Sequence, residues 1–182
     1  MSIKKYYEIR SSLSWLTYEE HSLSLKLAAD DSFEKGKEVM QIRDENERIH
    51  ALGLFRGSML MYAVSLELIL KARALFEEKD NILNGQISSF KEFMKQWKSR
   101  NTDGHGYMEI VNYYKIELSE KEIELLNNFQ SYTSWAGRFP FPKKEDEITE
   151  MEKYGRVSGT AKTRHKQEIQ EFLDKQIAAM KI

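Results

Sequence analysis

An arginine and a histidine bracket a short polar stretch, Arg100-Asn-Thr-Asp-Gly-His105, at what reads as a helix start. Helix N-termini hold anions through unsatisfied N–H groups and the helix macrodipole. Metal-free RNA cleavage needs a base near the ribose 2′-OH and a cation for the charge that grows on the phosphate. A histidine that titrates near neutrality and an arginine fork suit those two roles. Arg43 and His50 form a second pair of similar spacing, but Asp44, Glu45 and Glu47 stand between them and repel phosphate, so it ranks second. Spacing of this kind also arises by chance, so it carries weight only in context.

Three other groups could act with this pair. Glu67 and Lys71 are an i, i+4 pair in the favourable orientation, set in an apolar run. Glu67 shares a helix face with Leu60, Ala63, Leu70 and Ala74, so it needs a cationic partner when buried. The pair is either a structural ion pair or the lining of a polar pocket. Arg138 sits in an aromatic helix end and is a further member of this expected polar network, facing Glu67 or a bound anion. Lys91, Lys95 and Lys98 form one basic face that leads into His105 and suits an RNA backbone. The four histidines are too dispersed for H-E-x-x-H, Glu-x-x-His is not repeated as a ferritin-type di-iron site needs, and no G-x-S-x-G, Walker A or G-x-G-x-x-G string occurs. No metal site and no cofactor are expected.

These residues must be positioned by helices. Periodicity predicts a helix near 17–40, capped by Thr17, with Leu23, Leu27 and Val39 inward and a break at Asp30-Asp31-Ser32. The strongest stripe, Leu52, Phe55, Met59, Tyr62, Ala63, Leu66 and Leu70, marks a central buried helix over about 47–78. Ser89 with Glu92 and Ser119 with Glu122 read as capping boxes. The first opens a helix with Phe90, Phe93, Met94 and Trp97 on one face. The second opens a helix with Ile123, Leu126, Phe129 and Tyr132 on one face. A short helix with Tyr107, Ile110, Val111 and Tyr114 lies between them, and a last one over about 160–181 carries Ile169, Phe172, Leu173, Gln176, Ile177 and Met180. The expected architecture is all-α, an up-and-down bundle of five or six helices. Residues 1–142 form the bundle core, 143–159 a charged surface loop, and 160–182 a C-terminal helix packed on the bundle or on a second subunit.

Composition agrees with a folded helical domain. Of the 182 residues, 41% are hydrophobic and 12% aromatic, too many for a disordered chain, and two prolines are too few for a sandwich or barrel. A net charge of −1 gives no reason for the whole chain to act as a polycation. With no cysteine, disulfides and thiolate chemistry are excluded. The N-terminus lacks an apolar run behind its lysines, and the most apolar stretch, 57–66, is about half a membrane span. The reading is a soluble cytoplasmic protein with no membrane partner.

The string at 66–72 (Leu-Glu-Leu-Ile-Leu-Lys-Ala), the Gly104-His105 helix start and the string at 132–140 (Tyr-Thr-Ser-Trp-Ala-Gly-Arg-Phe-Pro) together resemble the HEPN superfamily over about residues 48–142. The resemblance implies a four- or five-helix bundle, frequently a homodimer, of prokaryotic toxin and phage-defence systems. Many members are metal-independent ribonucleases whose motif is arginine, a polar residue, three to five residues, then histidine. Arg100, Asn101 and His105 match it position by position, although here they lie in a connection before the fourth helix rather than in a late one. The implied roles are His105 as general base, Arg100 as stabiliser of the phosphate, and Asn101 as the group that orients one of them. The resemblance equally admits a non-catalytic bundle that binds a nucleotide, an antitoxin or a nucleotidyltransferase.

Overall fold

The structure is a computed structural model and describes residues 11–42, 44–98, 104–133, 145, 148–149 and 163–181. Arg43, Arg100, Asn101, Arg138 and most of the charged stretch 143–159 lie outside the described residues. Seven α-helices follow one another among those that are described: α1 Trp15–Met40, α2 Glu45–Glu77, α3 Lys79–Leu83, α4 Phe90–Met94, α5 Tyr107–Tyr113, α6 Glu120–Ser131 and α7 Thr163–Ala179. The fold is all-α, with a long α1–α2 hairpin packed against shorter helices. The count exceeds the expected five or six because the chain restarts as α3 directly after α2. There Glu78 takes bonds from the Asn81 amide at 2.6 Å and the Tyr114 hydroxyl at 3.1 Å.

The hairpin is where local reading and structure differ most. Helix α1 starts after Ser14, and Thr17 lies in its first turn with its N–H on the Ser14 carbonyl at 3.2 Å. It runs unbroken through Asp30-Asp31-Ser32. Aspartate and serine disrupt helices by bonding to their own backbone. Here Asp30 binds Lys26 Nζ at 2.8 Å and the Tyr62 hydroxyl at 2.6 Å, while Ser32 donates to the Leu54 carbonyl at 3.1 Å. Those groups are taken up by a neighbouring side chain of α1 and by the partner helix rather than by their own backbone. The buried face of α1 is therefore Ser22, Lys26, Ala29, Asp30, Phe33, Gly36 and Val39, and Leu27, expected inward, is 61% exposed.

Small residues let the two long helices approach closely. Ser22 and Ser65 exchange hydroxyl-to-carbonyl bonds, each 2.8 Å. A methyl group on Gly36 would stand 2.9 Å from the Phe55 ring. The pairings 22 with 65, 30 with 62 and 36 with 55 run in opposite directions, so the hairpin is antiparallel. Helix α2 is capped by Asp44, whose carboxylate accepts from Asn46 N–H and Glu47 N–H. Its second half is buried on nearly every face, from Met59 to Phe76. Its start is not, and Leu52 is exposed at the rim.

The shorter helices close over α2. Ser119 and Glu122 form a complete capping box on α6. At α4 only half of the expected box forms. Ser89 caps Glu92 N–H, but the Glu92 carboxylate reaches one residue further back, to Ser88 N–H and Oγ, both at 2.8 Å. Helix α6 buries Leu125, Leu126 and Phe129 and leaves Ile123 exposed at its edge. Helix α7 buries Ile169, Phe172 and Leu173 and contacts α1, α2 and α6. Lys175 ties it down through Glu122 at 2.8 Å and the Glu117 carbonyl at 3.0 Å. No helix among the described residues is long and apolar enough to cross a membrane.

Candidate functional site

The middle of α2 presents a carboxylate where the helix is most deeply covered. Glu67 and Lys71 are one turn apart, their side chains 9% and 6% exposed, with Lys71 Nζ 2.5 Å from Glu67 Oε1. The same oxygen receives His105 Nδ1 at 2.7 Å, from a residue 38 positions away in sequence. One carboxylate oxygen thus joins a buried ammonium and an imidazole. A carboxylate removed from water needs such partners to stay charged, and here both are supplied.

The imidazole arrives from the connection that precedes α5. Gly104 takes φ +81°, in the left-handed region that favours glycine. A methyl group there would also stand 2.5 Å from Met94 Cε, and the Lys98 stem passes beside it. Immediately beyond the histidine, Tyr107 is fully buried and its hydroxyl donates to the Ala63 carbonyl of α2 at 2.7 Å. Burial, with the Glu67 carboxylate nearby, pushes the Tyr107 phenol well above its ordinary range. From α6, the Gln130 amide accepts from Tyr107 N–H at 2.7 Å and donates to the His105 carbonyl at 3.2 Å. The histidine is therefore held by the turn before it, by the tyrosine after it and by a side chain across from it.

His105 Nδ1 faces a carboxylate oxygen, which accepts hydrogen bonds, so the ring meets Glu67 through its Nδ1 edge. The His105 side chain is 49% exposed while its Glu67 partner is buried. A buried carboxylate that orients a half-exposed imidazole is the arrangement by which a histidine acts as a general base.

Of the residues singled out from sequence, the structure brings Glu67, Lys71 and His105 together and runs Lys98 past the adjoining glycine. Lys91, Lys95 and Lys98 are exposed. Arg100, Asn101 and Arg138 belong to the undescribed segments. His50 is exposed beside Glu47 at 3.4 Å, and His165 is buried with its ring edge-on to Phe129. Gln130 carries no sequence signal of its own, since a single polar residue beside an apolar stripe reads as surface. Among the described residues no three His, Asp or Glu side chains cluster as metal ligands. The chain has no significant match to any protein-family model, curated protein or solved structure.

Proposed function

We propose that the chain is a HEPN-like, metal-independent endoribonuclease of a toxin or phage-defence type. The observation that carries this reading is the 2.7 Å contact of His105 Nδ1 with the buried Glu67 carboxylate, on a ring that is half exposed. His105 Nε2 takes the proton from a ribose 2′-OH. The 2′-oxygen attacks phosphorus, the P–O bond to the 5′-oxygen breaks, and that oxygen leaves with a proton from the medium. The products are a 2′,3′-cyclic phosphate and a 5′-hydroxyl. Arg100 balances the charge that grows on the phosphate, and Asn101 orients it or the imidazole. Lys91, Lys95 and Lys98 guide the RNA backbone by charge. A homodimer pairs two such sites at one cleft.

A second reading has its own support. Glu67 and Lys71 satisfy each other inside the bundle, as a purely structural pair does. In that reading the bundle is non-catalytic and binds a nucleotide, an antitoxin or a nucleotidyltransferase.

The test is RNA cleavage in EDTA by the wild type beside His105→Ala, Glu67→Gln and Arg100→Ala. The expected result is cleavage by the wild type and a loss of about 100-fold or more in His105→Ala, the upper range for removing a general base. Equal cleavage by wild type and His105→Ala removes His105 from the mechanism, and no cleavage by either favours the second reading.

A further inference from the structure

We infer that Gln130 of α6 is the positioning residue that sets His105 against Glu67. Its geometry stands by itself, and its consequence for rate rests on the ribonuclease reading above. Helix α5 is preceded by Gly106, which has no side chain to cap it. The Tyr107 N–H at its start is one of the donors that a helix cannot satisfy internally. Gln130 Oε1 satisfies it from another helix at 2.7 Å. The other end of the same amide donates to the His105 carbonyl at 3.2 Å and to Thr133 Oγ1 at 2.8 Å. Thr133 Oγ1 in turn donates to the Gln130 carbonyl at 2.9 Å.

Turning the amide over would set its N–H against the Tyr107 N–H and its oxygen against the His105 carbonyl, so the network fixes its orientation. Gln130 thereby gauges the distance from α6 to the backbone on both sides of Gly106. The imidazole hangs from that backbone and reaches Glu67 on α2. The clamp links α6 to the connection, and the Glu67 contact links the connection to α2. Loss of the clamp removes the tie between α6 and the connection that carries the ring.

The test uses the full chain with Gln130→Met, an apolar side chain of similar length, and Gln130→Glu, which still accepts from Tyr107 N–H but cannot donate to the His105 carbonyl. The first readout is the pair of His105 ring nitrogen chemical shifts, which report a proton fixed on Nδ1. The second is kcat and KM for RNA cleavage in EDTA. In Gln130→Met the ring is expected to average between tautomers, and kcat to fall about 10- to 100-fold with KM within about twofold. Gln130→Glu is expected to lie between Gln130→Met and wild type in both readouts. Unchanged His105 shifts in a folded Gln130→Met overturn the inference. Should that variant not fold, unchanged shifts in Gln130→Glu overturn it equally. If the wild type cleaves no RNA while Gln130→Met alters the His105 shifts, the positioning role stands and the ribonuclease reading falls.

Discussion

Tyr132 shows how one side chain can set a pH limit. Its ring packs beside Phe129 in the core, and its buried hydroxyl has no hydrogen-bond partner among the described residues. Burial pushes the phenol up to about 12, against a smaller opposing pull from Arg56. An acid whose folded pKa is raised supports the fold fully below its ordinary value of 10.0 and loses that support as pH rises toward 12. Tyr132→Phe is therefore expected to make the loss of stability between those values shallower by up to one proton. At neutral pH, removing an unpartnered hydroxyl should change stability by less than about 1 kcal/mol. Urea unfolding across neutral and alkaline pH checks both. A neutral-pH loss of several kcal/mol would mean that the hydroxyl has a partner after all.

At the scale of elements, helix ends and the ties between helices decide stability. Glu122 belongs to two such devices, the capping box of α6 and the link from α7 through Lys175. Burial alone would raise its carboxyl. The Lys175 ammonium and the Ser119 N–H and hydroxyl outweigh that and hold it below the ordinary value of 4.5. A depressed carboxyl stabilises the fold above its unfolded value and stops doing so as pH falls through the folded one. Lys175→Met should therefore weaken the chain at neutral pH and flatten its acid unfolding below 4.5. Ser119→Ala should cost about 1 kcal/mol through loss of the cap. Thermal melts at neutral and acidic pH read both, and an unchanged acid slope in Lys175→Met would detach Glu122 from the acid transition.

For the whole molecule, charge is nearly balanced, so attraction for a polyanion has to be local. Lys91, Lys95 and Lys98 lie exposed ahead of the connection that carries His105. Each phosphate neutralised on a single strand contributes about 0.7 to the slope of log affinity against log salt, so replacing all three lysines by alanine should make that slope shallower by about 2. Fluorescence anisotropy with a short single-stranded RNA over a salt series measures it. An unchanged slope would remove these three lysines from any RNA contact.

The helical class, the buried second half of α2, the cap at Ser119 and the inward stripe of α7 were all legible from residue order. Each follows from residue types within a few positions of one another, where spacing and capping act locally. Which face of α1 goes inward was settled by packing. That face holds Ser22, Lys26, Asp30 and Gly36, and polar residues can be buried only when another helix supplies Ser65, Tyr62 and close packing. The pairing of Glu67 with Lys71 was legible as a helix-turn neighbour. The arrival of His105 from 38 residues away, and its clamp by Gln130 from 25 residues away, was not. Hydrogen bonds between distant segments leave no period in a sequence, because the geometry that makes them exists only after the helices have packed.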